Sequence, residues 1–223
     1  MSAAPAASPT LAVALEAEDL RHRYGRRVGL ERVSFSLAGP GAVAITGPNG
    51  SGKTTLLRLI AGLLRPTEGR TRLRVGDAEV PPAERRRWIG LATPDLAFYE
   101  ELSVAENLSF AAEARGLAAP AQAVAETLER VELAVRGADR VAALSSGMKQ
   151  RLRLAFALLH RPAVLLLDEA GSHLDEAGRR LVNRVVAAAR REALVLIATN
   201  DERETGLGDQ RIELRGRGLG DPA

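Results

Sequence analysis

Residues 42–64 read AVAITGPNGSGKTTLLRLIAGLL, and this stretch decides the fold. Its apolar start predicts a strand over 42–46 that ends abruptly at Gly47. A glycine-rich segment follows, and the apolar residues after it recur with helical spacing from Thr54 to Leu64. A strand, a glycine loop and a helix in this order begin a βαβ unit, so the stretch predicts an α/β core.

The glycine-rich segment fits the pattern G-x-x-x-x-G-K-[ST] of phosphate-binding loops. Glycines let backbone N–H groups converge on phosphate oxygens, and the start of the following helix adds positive potential. We expect Lys53 to reach the β- and γ-phosphates and the Thr54 hydroxyl to bind Mg²⁺. The competing interpretation is an ordinary glycine turn capping a helix, and the flanking strand and helix argue against it. The predicted nucleotide contacts are Gly47, Pro48, Asn49, Gly50, Ser51, Gly52, Lys53, Thr54 and Thr55.

A second apolar strand is predicted to end in an acidic pair. Residues 163–167 are continuously apolar, which is typical of a buried parallel strand, and Asp168 and Glu169 follow. Carboxylates at the end of a buried strand are costly unless a cation lies nearby. We therefore expect Asp168 to bind Mg²⁺, directly or through water, and Glu169 to polarise an attacking water. Many strands end in an acidic loop, but the position of this pair, well after the glycine loop, makes it a Walker B candidate.

Composition limits the class of protein. The chain has 223 residues, of which 46% are hydrophobic and 26% charged, as in a globular domain. The absence of cysteine excludes a disulfide scaffold, a thiolate zinc site and a cysteine nucleophile. The net charge is only +3, so the abundant arginine is not taken as a nucleic-acid signal. The arginine runs at 26–27, 85–87 and 179–180 are predicted to be solvated, with attraction to an anionic membrane surface as the alternative.

The chain is predicted to have a β-rich start, an α/β core interrupted by a helical insert, and an α/β finish. We predict a disordered tail over 1–10, not a signal peptide, and no membrane span, so the chain would be soluble by itself. Further strands are predicted over 11–15, 29–37, 70–80, 194–198 and 209–215, and helices over 104–117, 121–133, 147–160 and 175–190. The Ala-, Glu- and Arg-rich residues from about 84 to 140 are predicted to form a helical lobe.

Residues 144–151 read LSSGMKQR immediately before a predicted helix. Ser-Ser-Gly is a common helix start, so an N-cap is one interpretation. Here, however, the sequence resembles the ATP-binding cassette (ABC) ATPase family, whose LSGGQ signature precedes a helix shortly before Walker B. The resemblance implies that Ser145, Ser146 and Gly147 contact the γ-phosphate of an ATP held by another subunit. Ser146 and Met148 depart from the family's Gly and Gln.

The resemblance extends over roughly residues 11–218 and implies the whole fold. That fold is a P-loop NTPase core with an N-terminal antiparallel β subdomain and a helical signature subdomain at about 84–150, all within one nucleotide-binding domain. It also implies that Tyr24 stacks on adenine, although the local sequence leaves a core tyrosine open. Asp175 matches the D-loop that crosses the family's dimer interface, and residues 101–108 (ELSVAENL) resemble the segment after its Q-loop.

Two positions depart from the family pattern. The expected Q-loop glutamine falls at Pro94, which has no side-chain oxygen for Mg²⁺. Asp95 or a water could take its place, because Mg²⁺ readily retains waters. Asn200 stands where the switch histidine is expected. Its amide can donate to a γ-phosphate but cannot carry a charge or relay a proton. With Glu169 present, we expect slow hydrolysis rather than none.

The resemblance implies that the chain is an ATP-hydrolysing transporter subunit. Two subunits, identical or different, would dimerise around ATP and Mg²⁺ to drive a separate transmembrane permease at the inner face of the cell membrane. The size and the 101–108 segment favour an exporter-type subunit, either haem-exporter-like or ABC-2-type. The alternatives are an ATP-gated clamp or regulatory module, left with little hydrolysis by Pro94 and Asn200, and, ranked last, a cassette acting on nucleic acid. The transported substrate and its direction stay open.

Overall fold

Two sheets form the scaffold in the computed structural model, which describes residues 12–172 and 174–215. The strands are β1 (Val13–Tyr24), β2 (Arg27–Gly39), β3 (Gly41–Thr46), β4 (Glu68–Val75), β5 (Ala78–Glu79), β6 (Ile89–Ala92), β7 (Val164–Asp168), β8 (Leu194–Ala198) and β9 (Gln210–Glu213). The α-helices are α1 (Lys53–Ile60), α2 (Val104–Ala114), α3 (Pro120–Arg130), α4 (Ser146–Leu158), α5 (Glu176–Ala189) and α6 (Glu202–Thr205), and short 3₁₀ helices lie at Pro82–Arg87, Ala134–Arg136 and Val141–Ala143.

The central sheet is parallel and has the strand order β6-β7-β8-β3-β9. Every residue of β7 and β8 is buried, which explains why these strands are continuous apolar runs. Ala198 pairs with Asp168 on one side and with Ile45 on the other, so the carboxyl ends of β3, β7 and β8 are level. The loops that follow them therefore meet at one edge of the sheet, where ligands bind in open α/β folds.

The second sheet is antiparallel, with the order β2-β1-β4-β5. Burial alternates along β1, so that Leu15 packs inward together with Leu73 of β4 and Leu56 and Ile60 of α1. The predicted strand at 29–37 lies within the longer β2, and the described part of the predicted strand at 11–15 overlaps β1 at 13–15. Strand β1 continues to Tyr24 because it pairs with both β2 and β4. An antiparallel sheet beside a parallel one confirms the predicted fold class.

The helical lobe begins later than predicted. Residues 84–92 form part of a 3₁₀ helix and then β6, which pairs with β7 in the central sheet. A four-residue strand carries too little periodicity to be recognised, and its burial comes from β7 and α4, which are distant in sequence. The lobe itself consists of α2, α3 and α4. Helix α2 starts at a capping box formed by Ser103 and Glu106.

Arg85 is buried, so the prediction that the run 85–87 is solvated is wrong at this position. Only 1% of Arg85 is exposed, whereas Arg86 and Arg87 are exposed as predicted. Its guanidinium donates to the carbonyl oxygen of Ile60 at 2.9 Å and to the hydroxyl and carbonyl oxygens of Thr71 at 2.7 and 2.8 Å. Burial lowers the pKa of Arg85. Since Ile60 ends α1, the arginine satisfies a helix-terminal carbonyl and joins α1 to β4.

Replacing Arg85 with methionine should lower the free energy of unfolding by about 2–4 kcal/mol, because buried acceptors of Ile60 and Thr71 lose their donor while the volume stays similar. Urea unfolding followed by circular dichroism measures the change. Arg86→Met, at the exposed neighbour, is the matched control and should unfold at the wild-type midpoint. Equal midpoints for Arg85→Met and wild type would contradict the bridging role.

Among the described residues, no helix is long and apolar enough to cross a membrane. The predicted tail at 1–10 lies outside the described residues, as do residues 11 and 216–218 of the predicted domain. The single-domain bounds 11–218 therefore stay a prediction.

Candidate nucleotide-binding site

The loop between β3 and α1 leaves no room for a Cβ at two of its glycines. Gly47 has φ of +144°, and a Cβ there would lie 2.4 Å from the Leu214 carbonyl oxygen. Gly52 has φ of +101°, and its Cβ would lie 2.5 Å from the Gly29 carbonyl oxygen. Gly52 is the N-cap of α1 and brings no side-chain acceptor to the first N–H groups of the helix. These donors are therefore available to an anion in the loop.

Lys53 is the first residue of α1, directly after this loop, and is only 7% exposed. Its Nζ donates to the Gly47 carbonyl oxygen and to Asn200 Oδ1, both at 2.8 Å, and lies 3.4 Å from the Pro48 carbonyl oxygen. Burial lowers the pKa of Lys53, and the negative charges of Glu169 and Asp168 oppose that effect. The loop thus holds its amine among oxygen acceptors, the type of atom that a phosphate offers.

Thr54 and Asp168 lie together at the start of α1. The Thr54 hydroxyl donates to Asp168 Oδ2 at 2.7 Å, and Asp168 is 2% exposed. Burial raises the pKa of Asp168, and the carboxylates of Glu169 and Asp95 add to this rise. A cation would offset the cost of this buried charge, and both groups offer the oxygen atoms that Mg²⁺ prefers. The residues therefore fit Mg²⁺, although the described chain contains no cluster of three or more His, Cys, Asp or Glu placed to hold a metal.

Glu169 follows β7 in a left-handed backbone conformation with φ of +49°, which is uncommon for a residue other than glycine. Its N–H donates to the Ala198 carbonyl oxygen at 2.9 Å, and its carbonyl oxygen accepts from the Ser172 N–H at 3.0 Å. The Ser172 hydroxyl lies 3.4 Å from Glu169 Oε2. These bonds hold the side chain at the edge of a cleft.

The cleft runs along the glycine loop and has a volume of about 280 Å³. It is lined by Tyr24, Arg27, Gly29, Asn49, Gly50, Gly52, Lys53, Thr54, Thr55, Arg58 and Glu169. The predicted lysine, metal-ligand threonine and catalytic glutamate therefore line one cleft, although the start of α1 and the loop after β7 are more than a hundred residues apart.

Tyr24 ends β1, lines the cleft and is 43% exposed. Its hydroxyl lies 3.5 Å from Thr55 Oγ1, and its ring meets that of His22 edge-on at 4.6 Å between centroids. The exposure argues against a core tyrosine, which was the other interpretation. Stacking on adenine stays a prediction.

Asn200 follows β8 and links two parts of the loop. Its Oδ1 accepts from Lys53 Nζ, and its Nδ2 donates to Asn49 Oδ1 at 2.5 Å. Asn200 therefore bonds to two residues of the glycine loop through its amide, and its contact with a γ-phosphate stays a prediction.

Pro94 lies in an exposed turn just after β6, at the same edge of the sheet. The neighbouring Asp95 accepts from Arg58 Nη2 at 2.7 Å, and Arg58 lines the cleft. Burial alone would raise the pKa of Asp95, but bonds from Thr93 and Arg58 hold it below its ordinary value. Asp95 is thus a charged carboxylate paired with Arg58. To bind Mg²⁺ in place of the missing glutamine, it would have to give up that ion pair.

The signature residues lie outside the cleft. Ser145 is the N-cap of α4, where its hydroxyl accepts from the Met148 N–H at 3.3 Å. Ser145 and Ser146 are exposed and Gly147 is half-buried, so the start of α4 faces outward. Asp175 caps α5 by accepting from the Gly178 N–H at 2.7 Å. The structure does not bring these residues to Lys53, and their contact with ATP on another subunit stays a prediction.

Sequence reasoning missed the side chains that support the site. Gln150 is 8% exposed and donates to the Glu169 and Ala170 carbonyl oxygens at 3.4 and 3.2 Å. Glu204 is 6% exposed and accepts from the Gly171 N–H at 2.5 Å. Neither belongs to a pattern that signals function, because their partners lie far from them in the chain. A glutamate buried in a four-residue helix is visible only in the fold.

The glycine loop between β3 and α1 and the acidic pair after β7 define a P-loop nucleotide-binding protein. The chain belongs to the ABC transporter family, since the family model with that description matches residues 30–172. The resemblance inferred from the glycine loop, the acidic pair and the signature is therefore confirmed.

Curated relatives carry transporter names. The chain is 39% identical over 188 residues to the uncharacterized ABC transporter ATP-binding protein YxlF of Bacillus subtilis, covering 83% of this chain and 62% of YxlF. It is 31% identical over 190 residues to the linearmycin resistance ATP-binding protein LnrL of the same species, covering 83% of this chain and 60% of LnrL. Other relatives are named as import subunits, so the exporter-type subclass stays a prediction.

A solved structure shares the fold. The ATP-binding cassette MJ0796, in a dimeric post-hydrolysis state bound to ADP and phosphate, superposes with a TM-score of 0.80. The match covers 90% of this chain and 94% of that one at 22% sequence identity. At this identity the likeness concerns the fold.

Proposed function

We propose that this chain binds ATP in the cleft beside Lys53 and hydrolyses it as the ATP-binding subunit of an ABC transporter. The observation that carries the proposal is the meeting of Lys53, the Thr54–Asp168 pair and Glu169 at the carboxyl edge of the parallel sheet. A buried amine, a pair of oxygen ligands and a carboxylate are what phosphoryl transfer from a Mg²⁺-bound nucleotide requires.

ATP would lie with its phosphates in the glycine loop and its base towards Tyr24. The N–H groups at the start of α1 and the amine of Lys53 would bind phosphate oxygens. Thr54 and Asp168 would hold Mg²⁺, which supplies positive charge against the phosphates when bound. The aromatic face of Tyr24 would stack on adenine, since its side chain lines the cleft and is exposed.

Hydrolysis requires a water molecule placed in line with the γ-phosphate. The Glu169 carboxylate would accept a hydrogen bond from that water and orient it for attack. Asn200 would donate to the γ-phosphate through the amide that also approaches Asn49.

A second cassette would complete the site. Ser145, Ser146 and Gly147 lie at an exposed helix start, which suits contact with a phosphate on a neighbouring subunit. Closure of two cassettes on ATP would drive a separate membrane permease, and the chain would then work at the inner face of the membrane. The names of YxlF and LnrL support a transporter role.

Steady-state phosphate release by the purified chain, with ATP and Mg²⁺ or with ATP and EDTA, tests this proposal. We expect slow turnover that EDTA abolishes. Bound ATP without turnover would support the clamp alternative, and the absence of both binding and turnover would overturn the proposal. ATP binding is measured in parallel by calorimetry.

Replacing Asn200 with alanine should lower kcat about tenfold while ATP affinity changes little, because its amide would stabilise charge that develops at the γ-phosphate mainly in the transition state. Asn183→Ala, at an exposed asparagine of α5, is the matched control and should retain wild-type kcat. Phosphate release at saturating ATP measures both variants. An Asn200→Ala rate equal to that of wild type would show that Asn200 does not take part.

A further inference from the structure

We propose that Glu204 is a positioning residue whose buried carboxylate ties the loop after β7 to the loop after β8. The first loop carries Glu169 and the second carries Asn200. The roles of those two residues rest on the proposed function. Glu204 itself lines no part of the cleft described above, so it would act only through the backbone that it holds.

The carboxylate joins the two loops through a chain of hydrogen bonds. Glu204 Oε1 accepts from the Gly171 N–H at 2.5 Å. On the other loop, the Glu204 N–H donates to the Asp201 carbonyl oxygen at 3.1 Å, and Thr199 Oγ1 accepts from the Asp201 N–H at 3.0 Å. Glu204 therefore has a partner on each loop, Gly171 through its carboxylate and Asp201 through its backbone.

The space around this carboxylate is matched to it. A Cβ on Gly171 would lie 2.2 Å from Glu204 Oε1, so the contact requires a glycine at this position. Burial raises the pKa of Glu204, and the carboxylates of Asp201 and Glu169 oppose its ionisation further. Burying a glutamate here costs free energy unless its carboxylate is hydrogen-bonded, so we infer that the bond to Gly171 is needed.

Both functional residues depend on the backbone that Glu204 holds. Glu169 has a left-handed conformation, which persists in a non-glycine residue only where the surroundings fix it. Gly171 lies two residues further along, beside the Ser172 N–H that bonds to the Glu169 carbonyl oxygen. On the other loop, Asn200 lies between Thr199 and Asp201, which the same network holds together.

A merely structural glutamate would make a different prediction. If Glu204 only satisfied a buried N–H group, its loss would lower the melting temperature and leave kcat unchanged below that temperature. A positioning residue should instead lower kcat without changing ATP affinity, since Glu204 contacts neither the loop of Lys53 nor Tyr24.

The test compares Glu204→Ala and Glu204→Gln with wild type. We expect kcat to fall about 10- to 100-fold in Glu204→Ala, the size of one lost bond to a charged acceptor, with the Kd for ATP unchanged. Glutamine keeps an oxygen for the Gly171 N–H and should recover most of the rate. Glu202→Gln, at an exposed residue of the same short helix, is the control and should match wild type. A Glu204→Ala rate within twofold of wild type would overturn the proposal.

Hydrogen exchange gives a second readout that needs no turnover. In Glu204→Ala, amides of residues 169–172 and 199–201 should exchange faster, while those of α1 should not change. Gly171→Ala should also speed exchange in both loops, because its methyl group would displace the Glu204 carboxylate. In a Glu204→Ala background the methyl group has room, so adding Gly171→Ala should change the exchange rates less than it does in wild type. Unchanged exchange in both loops would refute the link even if ATP is hydrolysed. If wild type fails to bind ATP, the proposed function is wrong. The exchange data would still show whether Glu204 joins the two loops.

Discussion

Replacing Lys53 with alanine should abolish measurable ATP binding, with a loss in affinity of at least about 100-fold. The Lys53 amine is the buried cation of the glycine loop, and its bonds to Gly47 and Asn200 show that it reaches the space between the loop and β8. Without it, the charge of the β- and γ-phosphates would be met by N–H dipoles alone, and each lost bond to a charged group is worth about 1.5–3 kcal/mol.

Isothermal titration with ATP and Mg²⁺ measures this change. Lys149→Ala removes the only other lysine of the sequence and is the matched control, since Lys149 pairs with Glu100 away from the cleft. A melting curve shows whether Lys53→Ala is folded. Wild-type affinity in a folded Lys53→Ala variant would sink the assignment of the whole site.

Replacing Glu169 with glutamine should lower kcat by about 100-fold or more, the contribution typical of a positioned general base. Glutamine has nearly the same shape, so the backbone bonds to Ala198 and Ser172 are retained and ATP should still bind. Because ATP would bind without being consumed, an ATP-bound dimer should accumulate. Phosphate release and size-exclusion chromatography with light scattering, both with Mg-ATP, measure the two effects.

Glu202→Gln serves as the control, because it removes a glutamate charge from an exposed position on α6. Undiminished turnover in Glu169→Gln would show that another group activates the water. Loss of turnover with only monomer in solution would mean that two copies of this chain do not close on ATP, and would point to a different second cassette.

Local sequence patterns predict the strands and the glycine loop that position the candidate site. The strand predicted over 194–198 matches β8, and the strand over 42–46 lies within β3, because buried parallel strands are continuous apolar runs bounded by polar residues. The glycines at 47 and 52, where the backbone has positive φ, make the loop recognisable in the sequence. The meeting of Thr54 with Asp168 could be expected because carboxyl ends of parallel strands share an edge.

Features set by distant contacts could not be predicted. Strand β6 is too short to show periodicity, and it forms because residues 89–92 pair with β7. Arg85 looks like its exposed neighbours in sequence, and only the approach of Ile60 and Thr71 explains its burial. The role of Glu204 cannot be predicted from the sequence for the same reason, since its partner Gly171 lies in another loop.

The scarcity of lysine has a practical consequence for chemical labelling. Lys53 lies inside the glycine loop and Lys149 in the first turns of α4, next to the signature, while every other basic side chain apart from three histidines is an arginine. Arginine stays protonated and does not compete for reagents that acylate amines. Each of the two surfaces predicted to enclose ATP thus carries one native side-chain amine. A peptide map after acylation would report separately on how accessible each surface is, with no engineered label.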